Sequence, residues 1–121
     1  MKIAIATNRE SLKDEIALHF GRAKSFLIYD TETKSFEIYP NPEVMGGKEF
    51  PPDFLYRLGV KAVIVFSLGP KALKKFKKYN IKMYKAIEGT ILDNLQKFND
   101  NKLKEKFNDN KLKELKKEDI F

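Results

Sequence analysis

The sequence predicts an α/β fold: a mixed five-stranded sheet, ordered 3-2-1-4-5 with one antiparallel strand, carrying helices on both faces. Three observations predict it. Five short runs rich in Ile, Val, Phe and Tyr are spaced along residues 2–86. A short polar turn, Asp30-Thr31-Glu32-Thr33-Lys34, separates the second run from the third and makes those two an antiparallel hairpin. Two helix starts marked by proline then alternate with the remaining runs, and successive β-α-β crossovers demand parallel pairing with right-handed connections.

The first strand is residues 2–7, apolar enough for the middle of a sheet. A polar stretch from Asn8 to Leu18 carries the chain to His19-Phe20-Gly21-Arg22. Residues 25–31 and 35–40 form the hairpin, with Phe36, Ile38 and Pro40 facing one way, and Pro40-Asn41-Pro42 stops it because proline cannot donate to a ladder. Pro51-Pro52 open a helix whose Phe54, Leu55 and Leu58 face the core, and Gly59 ends it in the left-handed cap position. Residues 61–67 are the fourth strand, buried on both faces. Gly69-Pro70 turn it into a lysine-rich helix, which Asn80 closes. There Ala72, Leu73, Phe76 and Tyr79 share one face and the lysines take the other, which reads as a solvated amphipathic face. Residues 81–86 are the fifth strand, and Thr90 caps a last helix with Ile91, Leu92, Leu95 and Phe98 inward.

At 121 residues the chain is one domain by size. The boundaries expected are an α/β domain over residues 1–98 and a charged helical tail over 99–121. In that tail residues 97–105 recur unchanged as 106–114. A nine-residue shift turns a helix about half a turn, so one helix cannot bury both copies on one sheet. The Asn-Asp-Asn triplets break the segment. The plain reading is a tolerated terminal duplication. The sharper one packs Phe107, Leu112 and Leu115 on another subunit, and the expected state is a monomer or weak homodimer.

Lys and Arg number 24 against 17 Asp and Glu, a formal charge of +7 that attracts anions. No recognition helix, zinc finger or aromatic RNA-binding motif directs that charge to a specific nucleic acid. With no cysteine there is no disulfide, thiolate ligand or cysteine nucleophile. No apolar run reaches membrane-spanning length, and Met1–Thr7 is too short and alternating for a signal-peptide core, so the expected location is cytoplasmic.

In sheets of this kind ligands bind beyond the C-terminal ends of the parallel strands. Three loops are expected to meet there: Thr7-Asn8 leading to His19 and Arg22, then Ser67 with Gly69, then Gly89-Thr90. Two of these open helices, whose N-termini present backbone N–H groups to an anion. His19 would add a metal ligand and Arg22 a charge. Catalysis is not expected. The chain has no Gly-x-Ser-x-Gly elbow, no Gly-x-Gly-x-x-Gly or Walker-type loop, no carboxylate array for two metals and no helical His-x-x-x-His pair. From the residues alone, three non-enzymatic roles stay open: an anion or metal-cluster site, a partner-binding or regulatory module without a cofactor, and a phosphate or nucleotide binder.

Several segments together resemble a known family. They are Met1–Thr7, the His19-Phe20-Gly21-Arg22-Ala23 loop, the Phe26–Tyr29 strand, and Gly59-Val60 with Val63-Ile64-Val65 running into Gly69-Pro70-Lys71-Ala72. Asn80–Tyr84 and Glu88-Gly89-Thr90 also suit it. The resemblance, over about residues 1–98, is to the dinitrogenase iron–molybdenum cofactor biosynthesis family, the NifX/NifY-type accessory proteins and their small stand-alone relatives. It implies a ribonuclease-H-like motif without nuclease activity. It also implies transient binding or carriage of an iron–sulfur or iron–molybdenum cluster or its precursor between donor and acceptor proteins.

Overall fold

The computed structural model describes residues 1–9, 11–44 and 46–99, and the backbone of residues 105–106. The elements are β1 (Lys2–Thr7), a single 3₁₀ turn (Phe20–Arg22), β2 (Ser25–Asp30), β3 (Ser35–Pro40), α1 (Pro51–Arg57), β4 (Val60–Val65), α2 (Pro70–Lys78), β5 (Lys82–Lys85), α3 (Ile91–Asn99) and β6 (Glu105–Lys106). The sheet order is β3-β2-β1-β4-β5-β6. β1 pairs antiparallel with β2, and β2 with β3, from Ser25 opposite Pro40 to Asp30 opposite Ser35. β1, β4 and β5 run parallel. The expected 3-2-1-4-5 arrangement is therefore present, with one addition.

That addition is β6, which joins β5 antiparallel with Glu105 opposite Tyr84 and Lys106 opposite Met83. Residues 105–106 are thus strand, where the sequence reading had helix. α3 is described over Ile91–Asn99. Residues 107–121, with Phe107, Leu112 and Leu115, lie outside the described residues.

Period-two burial divides the sheet into two cores. Ala4 and Ala6 of β1, Phe26 and Ile28 of β2, and Val63 and Val65 of β4 face one side. There they meet Phe54 and Leu55 of α1 and Ala72, Leu73 and Phe76 of α2. Ile3, Ile5, Leu27, Ala62 and Ile64 face the other side, under Ile91 and Leu95 of α3. The two alanines of β1 are small on the face that receives the most rings. Phe20 packs there against Phe26 (centroids 5.0 Å apart) and edge-on to Phe76 (5.4 Å, interplanar 78°).

One inward assignment changes. Leu92 is 40% exposed, whereas Asn94 is fully buried. At about 100° per residue, Asn94 falls about 60° from Ile91 and Leu92 falls about 100° away, so the polar residue occupies the inner face. Its amide is satisfied: Nδ2 donates to the carbonyls of Ile87 (3.1 Å) and Thr90 (2.9 Å), and Oδ1 accepts from Ile87 N–H (2.8 Å). Phe36 is 40% exposed because β3 is the outermost strand, where only Ile38 and Tyr39 reach the cores. The helix terminators hold, with Gly59 at φ +85° and Asn80 at φ +55°.

Candidate functional site

The loop from Asn8 to Lys24 crosses the C-terminal ends of the parallel strands, and backbone bonds tie it down along its length. Thr7 Oγ1 donates to the carbonyl of Arg9 (2.7 Å) and accepts from its N–H (3.1 Å), which turns the chain out of β1. Asn8 Oδ1 accepts from Lys24 N–H (3.2 Å) and joins the two ends of the loop. Ala17 N–H donates to the carbonyl of Ala6 (2.8 Å), and His19 then bridges Ser67 in parallel fashion. That last bridge brings the loop of β1 onto the segment that follows β4.

The 19–22 turn is held from below and behind. Phe20 is driven into the ring cluster by its apolar area, a burial that stabilises by roughly 1.5–3 kcal/mol. Asn41, fully buried, donates from Nδ2 to the carbonyls of Gly21 (3.1 Å) and Ala23 (2.9 Å). Its Oδ1 accepts from Glu43 N–H (3.1 Å), and its own N–H donates to the carbonyl of Lys24 (2.9 Å). The sequence reading took Asn41 only as part of a strand stop. The signal was a buried-capable amide between two prolines that cannot donate, but its partners lie 18 to 20 residues away and no local pattern reports them.

With Phe20 buried, His19 and Arg22 stay exposed at the rim. They line a depression of about 430 Å³ together with Gly21, Gly69, Pro70 and Lys71. Its remaining walls include Phe50 and Leu68. α2 begins here without a side-chain cap, Gly69 being the N-cap and Pro70 the first helical residue. Arg22 and Lys71 are exposed cations that line the same opening. Lys71 and Phe50 were not singled out in the sequence. By pattern Lys71 belongs to the solvated face of α2, although its place in the first turn of a helix after a strand sets it apart. Phe50, the N-cap of α1, gives no local signal.

The other expected site residues sit differently. Ser67 is buried beside His19 through the bridge. Thr7 and Asn8 shape the loop, and Asn8 lines a separate depression with Arg9 and residues 13–18. Gly89 and Thr90 are not among the residues lining the His19 depression. The start of α3 is also occupied, contrary to the expectation of available N–H groups. Ile91 N–H donates to the carbonyl of Asp14 (2.8 Å) and Leu92 N–H to that of Leu12 (2.9 Å). Asp93 N–H donates to Thr90 Oγ1 (3.0 Å), while Asp93 Oδ2 accepts from Thr90 N–H (2.9 Å), a reciprocal capping box. Those bonds to Thr90 hold the Asp93 carboxyl below its usual range, the backbone one foremost.

The donor chemistry limits what the depression can hold. His19 is the one imidazole of the chain, and no cysteine accompanies it. Among the described residues no three His, Cys, Asp or Glu side chains gather closely enough to cage a metal ion. The set does not fit a permanent multi-ligand metal centre. It does fit a single exchangeable contact with cations around it.

Comparisons with known proteins bear on the fold and the family. An uncharacterised protein of Methanocaldococcus jannaschii is 34% identical over 111 residues, spanning 87% of this chain and 91% of its own length. The apo form of the orange protein from Desulfovibrio gigas superposes with a TM-score of 0.77 over 86% of this chain and 91% of that one, and at 22% identity shares the fold. A Thermotoga protein provisionally assigned as a NifB protein gives a TM-score of 0.73 at 26% identity, over 86% of this chain and 91% of that one. A further Methanocaldococcus jannaschii protein, provisionally assigned as a dinitrogenase, gives 0.69 at 27% identity, over 87% and 93%. The family model described as dinitrogenase iron-molybdenum cofactor matches residues 1–101, and the chain belongs to that family.

Proposed function

We propose that this protein is a non-catalytic carrier of an anionic metal cluster or its precursor, of iron–sulfur or iron–molybdenum type, taken from a donor protein and passed to an acceptor. The observation that carries this reading is the joint lining of one depression by His19, Arg22 and the uncapped start of α2. A carrier must bind and let go, and one ligand plus surrounding charge serves that better than a cage. His19 would supply the exchangeable ligand. Arg22, Lys71 and the partial positive charge at the start of α2 would face the anion. Gly69 and Ser67 serve as supports for this edge. Family membership supports a cargo of this kind. Among the described residues no three His, Cys, Asp or Glu side chains gather, and the sequence has no Gly-x-Ser-x-Gly elbow, which supports a role without catalysis; among the same residues no helix is long and apolar enough to cross a membrane.

Anaerobic incubation with iron and sulfide, and separately with a cluster-loaded donor, tests it by absorbance and metal content. The wild type is expected to take up metal with sulfide. Arg22→Ala is expected to weaken retention, and His19→Ala to abolish it, each with an unchanged melting temperature. No uptake by the wild type from either source would reject the carrier role.

A further inference from the structure

α1 and α2 lie side by side, and a groove of about 510 Å³ opens along them, lined by Phe50, Asp53, Lys71, Lys74, Lys75 and Lys78. The four lysines recur at i, i+3, i+4 and i+7, a spacing that lines them along one side of α2. Asp53 is the one carboxylate among the lining residues, and it is already engaged. Lys75 Nζ donates to its Oδ1 at 3.2 Å, and the Tyr79 hydroxyl donates to the same oxygen. Lys71, Lys74 and Lys78 remain as a positive excess around an apolar floor of Phe50 and lysine stems.

We propose that the α1–α2 groove docks an acidic segment of a partner protein, with an apolar side chain of that segment seated on Phe50 and its carboxylates on Lys71, Lys74 and Lys78. The chemistry favours a peptide over nucleic acid. Single strands are gripped by spaced stacking aromatics and arginine planes, whereas this groove has one aromatic and no arginine among its lining residues. Lysines are mobile point charges that suit scattered carboxylates. Phe50 and Lys71 also line the neighbouring 430 Å³ depression, so a docked segment ends at its mouth. Docking stands on the groove alone. Only its use as a delivery point rests on the carrier reading.

The test uses the full chain without cargo and a fluorescein-labelled peptide rich in Glu and Leu, read by anisotropy at low and moderate salt. Lys74→Glu with Lys78→Glu is compared with Lys61→Glu plus Lys85→Glu, exposed lysines on β4 and β5 that change the formal charge equally. The groove pair should weaken Kd about tenfold or more, and the control pair less than about threefold, because close charge pairs contribute more than net charge. Melting of each variant checks the fold, and Lys74→Gln with Lys78→Gln repeats the reading if the reversed pair does not fold. No saturable binding by the wild type, or equal weakening by both pairs, would overturn the proposal. So would a single-stranded oligonucleotide or anionic vesicles that bind more tightly with the same dependence on the groove. The peptide measurement involves no metal, so failure of cluster uptake leaves it intact.

Discussion

Asn41 donates from Nδ2 to the carbonyl of Ala23 at 2.9 Å, and the same amide reaches the carbonyl of Gly21 at 3.1 Å. One fully buried side chain in the turn after β3 thereby spans the two residues that flank Arg22. Removing it takes a donor from the buried carbonyl of Ala23 and from the part-buried carbonyl of Gly21, at a cost of about 1–3 kcal/mol. Asn41→Ala is therefore expected to lower the unfolding free energy by that amount, read as a lower denaturant midpoint at an unchanged m-value. Amide exchange at residues 21–24 should speed up by more than the global loss accounts for. Exchange that rises uniformly across the chain would show that Asn41 serves general stability and not the turn.

Phe20 is the second anchor. Its ring lies 5.0 Å from Phe26 and 5.4 Å from Phe76. Phe20→Ala removes a buried ring and should cost about 3–5 kcal/mol, measured by urea unfolding. Phe20→Leu keeps most of the apolar volume and should cost less than about 2 kcal/mol while leaving His19 and Arg22 in place. A Leu variant as unstable as the Ala variant would mean that ring geometry, not volume, holds the turn.

The capping box of α3 gives a pH prediction. Asp93 has its folded carboxyl held below the usual range by the Thr90 bonds. A lowered folded pKa means that its contribution is fully present above the unfolded-state pKa of an ordinary aspartate and is lost as pH falls through the folded value. Asp93→Asn should therefore lower stability near neutrality, lose that difference from the wild type as pH falls, and so flatten the acid limb of the stability profile. Thr90→Ala should cost about 0.5–2 kcal/mol at neutral pH. Because neither Gly89 nor Thr90 lines the His19 depression, neither change is expected to alter cluster uptake by the folded protein. Loss of uptake in Thr90→Ala at a temperature where it is fully folded would bring the third loop back into the site.

Gly89 tests the same end of the sheet through the backbone. It sits at φ +126°, and a Cβ there would lie 2.6 Å from Asp93 Oδ2. Gly89→Ala should destabilise by about 1–3 kcal/mol, from strain together with displacement of the Asp93 carboxylate. If the displacement matters, the acid limb should flatten in this variant as it does in Asp93→Asn. A steep limb with full destabilisation would assign the cost to backbone strain alone.

The five principal strands, the hairpin and the helix terminators were legible in the sequence because each rests on local physics. Continuous apolar runs mark Ile3–Ala6 and Ala62–Val65, which are buried on both faces, proline opens α1 and α2, and left-handed backbone at Gly59 and Asn80 closes them. The 3-2-1-4-5 order followed from connection lengths and handedness, which are local rules with global results. The position of His19 and Arg22 after the first strand was legible in the same way. What the sequence could not report were partners far apart along the chain. Asn41 and Gly21 lie 20 residues apart, and His19 and Ser67 are further still. Leu92 is not on the inner face expected of it, and Asn94 is buried there instead, its amide satisfied by three hydrogen bonds whose partners no local pattern reports. The start of α3 looked as available as that of α2, and only the packing of residues 12–14 and the Thr90–Asp93 box occupies it. Sequence alone determined which side chains could grip an anion. Tertiary structure decided which of them share an opening, because a hydrogen bond or ring contact is set by distance in space and carries no fixed distance along the chain.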